Sequence, residues 1–337
     1  MILTDEQRVA ANYDGNTFIV ACPGSGKTRT LIAKMLRALN DVRDTSRKIA
    51  CITYTNSAVY EIENRLKIFG KCGDDNYCDI STIHSFCLVN ILFPFYWKIP
   101  KYHNGFTVLT IDSEEYKRIA RDCLAIFGLP NRFLDQFDNL YRNSDGTPLQ
   151  TGVLSPDLVS YFWGKLEELS YIDFPNIIYH SYKLVENNPS IAHTLACKYH
   201  WYLIDEFQDT TELQVKILQK IVSFGLSSFF LVGDPFQSIY GFAGARTDLM
   251  NHFAQEIAAN TDFKILGNFR SSQRIVSHAE RLSPRIPPML AVGVDQAYQR
   301  EPIYIHTQTT YEAIVDYFLQ EIDNLGIAYG ECAILSP

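Results

Sequence analysis

Apolar residues along this chain fall into two rhythms. Short runs at 18–21 (FIVA), 49–52 (IACI), 201–204 (WYLI), 229–232 (FFLV) and 263–266 (FKIL) have the length and composition of buried strands. Between them, apolar residues recur at helical spacing: Leu31, Ile32, Met35, Leu36 and Leu39; Ala58, Ile62, Leu66 and Phe69; Leu213, Ile217, Leu218, Ile221 and Val222. Strands alternating with amphipathic helices predict an α/β fold, a parallel sheet flanked by helices. LTDEQRVA (3–10) reads as a helix start, with Thr4 or Asp5 as N-cap and Gln7 in the first turn.

The alternation breaks between Phe86 and Trp201. That gap of about 115 residues is too long for a structureless loop, so it predicts an inserted folded unit. Its pattern is mainly helical, with one helix over 114–127 stopped by Gly128 and Pro130 and another opened by Ser155-Pro156. The aromatic run at 93–97 (FPFYW) is either packing of the insert or a stacking surface for bases. After about Ser283, Pro284, Pro287 and Pro288 mark a linker. A strand at 303–305, a helix bearing Ile314, Val315, Phe318, Leu319, Ile322 and Leu325, and a strand at 333–335 then begin a second α/β unit.

Composition adds bounds. With 337 residues, 47% hydrophobic and 20% charged, the chain suits two or three globular domains. A net charge of −8 and a pI near 5.5 argue against a tail-driven, histone-like DNA binder, while leaving room for a local basic groove. The eight cysteines are scattered, and Cys72 and Cys78 lack the spacing and second ligand pair of a zinc site. Reduced thiols in a cytoplasmic protein are the expectation. No signal peptide or membrane-length apolar run is visible, so no membrane partner is expected.

The candidate chemistry sits at the strand ends. The first strand runs into CPGSGKT (22–28), whose backbone N–H groups and helix start suit phosphates; Lys27 would reach the β/γ-phosphates and Thr28 would ligate Mg²⁺. The strict pattern asks for glycine at Ala21, and a glycine turn that merely caps a helix is the alternative. The strand 201–204 ends in Asp205-Glu206, one carboxylate for Mg²⁺ and one to take a proton from water, although carboxylates also favour helix starts. Gln237 could sense a γ-phosphate, Arg270 could stabilise transferring charge, and Tyr54, Tyr240 and Phe242 could stack on bases. Gln7 could read a nucleotide base or serve its helix alone, and His84 could touch a ligand or be a structural histidine.

These segments, in order, resemble the motifs of UvrD/Rep-like superfamily 1 helicases. LTDEQRVA resembles the Q motif, ACPGSGKT (21–28) the Walker A motif, and TYTNSAVYEIENRL (53–66) and STIHSF (81–86) the next two blocks. LIDEFQDT (203–210) resembles Walker B, followed by VGDPFQSIYGFAGA (232–245) and LGNFRSS (266–272). Ala21 at the head of Walker A is usual in that branch. The resemblance implies a RecA-like P-loop NTPase domain over 1–88 and 198–285, a helical subdomain over 89–197, and a partial second RecA-like domain over 286–337. It implies ATP and Mg²⁺ as cofactors. Gln7 would contact adenine, the nucleotide loop would comprise Ala21, Cys22, Pro23, Gly24, Ser25, Gly26, Lys27, Thr28 and Arg29, and Phe269 would stack near the base. Thr28 and Asp205 would hold the metal, with Lys27, Glu206, Gln237 and Arg270 catalytic. Tyr54, Asn56, His84, Tyr240 and Phe242 would contact single-stranded DNA.

Two departures stand out. Ser57 replaces the lysine of the family's TNKAA block, and Phe242-Ala243 replaces its Trp-Arg. Past about Pro287 only the start of the second lobe is present, so the chain reads as one half of a two-lobed motor, without the family's second arginine. The implied activity is an ATP-dependent DNA helicase or 3′→5′ single-strand translocase acting on single-stranded or partial duplex DNA. The alternative is a nucleotide-responsive subunit working beside a nuclease, similar to the helicase partner in Gabija-type antiviral systems.

Overall fold

The computed structural model describes residues 1–71, 73–149, 151–238, 241, 244, 246–293, 297 and 310–333. Helix α1 (Asp5–Asn12) opens with a capping box: Thr4 Oγ1 accepts from the Gln7 N–H and Gln7 Oε1 accepts from the Thr4 N–H. Then come β1 (Thr17–Ala21), α2 (Lys27–Val42), β2 (Lys48–Thr53), α3 (Asn56–Phe69), β3 (Cys78–Thr82) and α4 (Ile83–Cys87). A π turn leads into α5 (Phe93–Phe95), followed by β4 (Thr107–Val108), α6 (Glu114–Ile126), α7 (Pro156–Glu168), β5 (Tyr171–Ile172), α8 (Phe174–Asn187) and α9 (Pro189–Lys198). The chain continues through β6 (Tyr199–Ile204), α10 (Glu212–Val222), β7 (Ser228–Gly233), α11 (Thr247–Glu256), β8 (Lys264–Ile265), β9 (Gly267–Asn268), α12 (Gln273–Leu282), β10 (Leu290–Ala291) and α13 (Tyr311–Leu325).

Six strands form one parallel sheet in the order β3-β2-β6-β7-β1-β8. Both faces are covered, which is why its strands read as continuous apolar runs. Ile19, Cys51, Leu203 and Phe230 face a core completed by α2 and α3, while Phe18, Ile52, Tyr202 and Leu231 face one completed by α8 to α11. The expected α/β architecture is therefore present, with the helical insert between β3 and β6.

The insert has a core of its own, built on Tyr116, Leu124, Phe137, Phe162 and Trp163. Its helices begin where the sequence indicates: Ser113 caps α6, and Ser155 caps α7 with Pro156 in the first turn. Helices α8 and α9, within the 89–197 stretch, pack into the sheet's core, because Ile177, Tyr182, Val185, Ile191 and Leu195 lie against the sheet. In the aromatic run, Phe95 and Tyr96 pack on that core, whereas Phe93 and Trp97 are exposed.

Two local expectations change. Only Lys264–Ile265 extends the main sheet. The chain then leaves it, and Gly267–Asn268 pairs with β10 in a separate two-stranded sheet. The Pro284–Pro288 passage is anchored, since the Glu280 carboxylate accepts from the Arg285 and Met289 N–H groups. The expected helix over 314–325 is present as α13, while the strand at 303–305 lies outside the described residues and Ala333 is not in a strand. Among the described residues no helix is long and apolar enough to cross a membrane.

Candidate nucleotide and DNA site

In a parallel sheet every strand points its carboxyl end to the same edge, where ligands bind. That edge gathers the loop after β1, Tyr54 after β2, Asp205-Glu206 after β6 and Asp234 after β7. The loop from Cys22 to Gly26 leads straight into α2, with Gly26 as N-cap at φ 84°. Gly24 and Gly26 both lie at positive φ. A Cβ on Gly24 would stand 2.8 Å from Arg270 Cβ, and one on Gly26 would stand 2.8 Å from Gln7 Nε2. Glycine is thus required twice, by conformation and by close approach. Ala21 and Cys22 are buried, Pro23 and Thr28 are half-buried, and Arg29 is exposed. The Cys22 thiol is pushed up to about 11 by burial, so it is no nucleophile.

Lys27 Nζ lies 2.8 Å from Glu206 Oε2, joining the phosphate loop to the acidic strand end across the intervening β7. Glu206 reaches it from a left-handed backbone (φ 49°, ψ 45°), a conformation that costs a non-glycine residue about 1–2 kcal/mol. Strain of this kind clusters at functional positions. Gln208 Nε2 donates to the same Glu206 oxygen, at 2.8 Å. Asp205 is 5% exposed, and burial and then Glu206 raise its carboxyl to about 7, while Lys27 pulls the other way. The Asp205 carboxylate and the Thr28 hydroxyl are hard oxygen donors of the kind Mg²⁺ takes.

The segment carrying Phe269 and Arg270 is docked on the phosphate loop. The Phe269 N–H donates to the Gly24 carbonyl at 2.9 Å, and Asn268 Oδ1 accepts from the Arg270 and Ser271 N–H groups at 2.9 and 2.8 Å. Phe269 and Arg270 are both exposed beside the loop. Gln237 follows β7, and its amide donates to Asp234.

Gln7 has both ends of its amide engaged within the chain. It is 1% exposed; its Oε1 serves the α1 capping box and its Nε2 donates to the Ser25 carbonyl at 2.8 Å. In this structure its amide shapes the phosphate loop from beneath. Sequence reasoning missed Gln208, Asp234, Asn268 and Arg285, which carry the hydrogen bonds between motifs; Gln208 and Asp234 follow strand ends, whereas Arg285 lies past α12 with no such signal.

A cleft of about 590 Å³ lies between the insert and the sheet edge. Tyr54 and His84 line it together with Arg142, Leu149, Phe174 and Arg246. The His84 ring meets Phe174 edge-on at 5.8 Å, and burial lowers its pKa to about 4, so it faces the cleft as a neutral ring. Asn56 stands outside that lining, exposed at the start of α3. Tyr240 and Phe242 lie outside the described residues.

Known proteins place this arrangement. The chain is 28% identical over 296 residues to a "Probable DNA helicase II homolog" of Mycoplasma capricolum, covering 82% of this chain and 40% of that protein. It is 28% identical over 280 residues to the ATP-dependent DNA helicase Rep of Buchnera aphidicola (80% and 43%). It is 27% identical over 352 residues to the ATP-dependent DNA helicase PcrA of Staphylococcus aureus (98% and 47%). The chain thus spans less than half the length of these relatives. Residues 3–258 match the model of the UvrD/REP helicase N-terminal domain, and the chain belongs to that family.

Proposed function

We propose that the protein is an ATP-driven DNA helicase or single-strand translocase, moving 3′→5′, for which this chain supplies the nucleotide-binding lobe. The observation that carries the reading is the 2.8 Å contact of Lys27 with Glu206, alongside the docking of the Phe269–Arg270 segment on Gly24. Three separated motifs thereby meet at the phosphate loop. Lys27 and the loop N–H groups would hold the β- and γ-phosphates. Thr28 and Asp205 would hold Mg²⁺, which supplies charge neutralisation at the transferring phosphoryl oxygens. Glu206 would orient the attacking water and accept its proton, with Gln237 and Arg270 at the γ-phosphate. Phe269 would flank the base, and Gln7 would reach it by giving up Ser25.

Single-stranded DNA would run along the cleft, its bases against Tyr54 and Phe174 and its phosphates near Arg246; the family resemblance adds Tyr240 and Phe242 as base contacts. Aromatic stacking contributes about 1–3 kcal/mol per base and tolerates any sequence. The test is ATP hydrolysis by the complete protein with and without single-stranded DNA. Hydrolysis should rise on adding DNA and vanish in Lys27→Ala; a rate indifferent to DNA would sink the translocase reading.

One observation favours a second reading. Ser57 is exposed in the first turn of α3, where the family's lysine would offer a charge to the DNA backbone. A weaker grip suits an ATP-responsive DNA-binding subunit of a nuclease complex, of the antiviral kind, that does not unwind. Robust fork unwinding by the isolated protein would exclude it; co-purification with a nuclease and no unwinding would support it.

A further inference from the structure

The residue after β7, Asp234, is 0% exposed, and its carboxylate collects three donors. Oδ1 accepts from the Phe236 N–H (3.1 Å) and from Arg285 Nη1 (2.9 Å); Oδ2 accepts from Arg285 Nη1 (2.8 Å) and from the Gln237 side-chain amide. The Arg285 guanidinium also lies over the Phe236 ring, 4.7 Å from its centroid, and its side chain is only 8% exposed. Burying a carboxylate this deep is costly unless a cation and hydrogen-bond donors meet it, and Arg285 supplies that cation.

The other side of Asp234 faces the acidic strand end. Its N–H donates to Gln208 Oε1 (2.9 Å), Gln208 Nε2 donates to Glu206 Oε2 (2.8 Å), and Glu206 holds Lys27. A continuous polar path therefore runs from the phosphate-loop lysine to an arginine on the segment that leaves α12.

We propose that Arg285 is a positioning residue for ATP hydrolysis. By clamping Asp234 it holds the Gln237 amide, whose Nε2 donates to that carboxylate. It also holds Gln208 in register with Glu206. Because Arg285 sits beyond α12, on the stretch tied by Glu280, a shift of that stretch is passed to Gln237 without any nucleotide contact of its own. The proposal rests on the nucleotide-site reading given above.

The test uses the complete protein, a fluorescent ATP analogue for binding, and steady-state ATP hydrolysis. Arg285→Lys keeps the charge but loses the planar group that lies over Phe236. It should leave analogue affinity and KM within about twofold of wild type and lower kcat about tenfold. In a Gln237→Ala background the same change should lower kcat by less than about twofold, since no amide remains to be directed. Asp234→Asn/Arg285→Gln, which replaces the ion pair with a neutral one, guards against simple misfolding and should show the same kcat-selective loss. Wild-type kcat in Arg285→Lys, or an equal loss in both backgrounds, would overturn the positioning role alone. A wild-type protein that binds no ATP analogue would overturn the nucleotide-site reading along with it.

Discussion

Adding a single methyl group at Gly24 would wedge the phosphate loop away from the segment that carries Arg270. Gly24 has φ +67°, and its new Cβ would lie 2.8 Å from Arg270 Cβ and 2.9 Å from Asn268 Oδ1. The left-handed backbone alone costs an alanine about 1 kcal/mol. Neither neighbour can swing aside: Arg270 Cβ is fixed to the main chain, and Asn268 Oδ1 already holds two N–H groups. Relief therefore means breaking the Phe269-to-Gly24 hydrogen bond or one of the Asn268 bonds, at about 1 kcal/mol each. The total is about 2 kcal/mol when one bond breaks and about 3 kcal/mol when two do. Gly128→Ala is the control, because Gly128 has φ +70° with nothing within 4 Å of a built Cβ and so carries the backbone cost alone. Urea denaturation of both variants, with titration of a fluorescent ADP analogue, separates the terms. Gly24→Ala should lose about 1–2 kcal/mol more than Gly128→Ala and bind nucleotide about tenfold more weakly. Equal losses with wild-type nucleotide affinity would refute the docking of the Arg270 segment on the loop.

Three further outcomes are expected. Glu206→Gln removes the anion that competes for Lys27, so ATP should bind several-fold tighter while turnover falls roughly a hundredfold; Glu206 is about one-third exposed, so the gain stays near 1 kcal/mol. Calorimetric titration showing weaker ATP binding would count against it. Asp173 caps α8, and burial raises its pKa from 3.8 to about 6, so between those values the folded state holds the proton more tightly than the unfolded one. Its stability contribution therefore falls as pH rises from about 4 to 6 and is level above, a penalty of up to about 3 kcal/mol. Asp173→Asn should gain on wild type across that window, and parallel denaturation curves from pH 4 to 8 would exclude the assignment. Tyr54→Ala should weaken single-strand binding by about 1–3 kcal/mol in a fluorescence-polarisation titration with little change in ATP affinity; unaltered DNA binding would remove Tyr54 from the groove.

Much of the site was legible because its chemistry is packed into contiguous residues. A strand, a glycine loop and Lys27-Thr28 declare themselves within a dozen positions, and so does an apolar strand ending in Asp205-Glu206. The joints between motifs were not legible. Gly24 reads as a loop glycine until the chain brings Arg270 beside it, and Arg285 lies in a proline-rich passage that reads as linker. Gln7 shows the limit of residue type: one amide can serve a base or a cap, and only the fold places it under Ser25. The same holds for α8 and α9, whose periodicity announces helices but not which core they complete.

The strand order has a consequence for how such a site can vary. With β7 standing between β6 and β1, the acidic strand end and the phosphate loop are two strand spacings apart, about 10 Å. Backbone hydrogen bonding sets that width, and no side-chain substitution can alter it. The sheet is a fixed gauge, wide enough that Lys27 and Glu206 must each extend to meet. Variation in rate on this gauge must come from groups leaning in from outside the sheet, and in this chain those are the segments bearing Gln237 and Arg270.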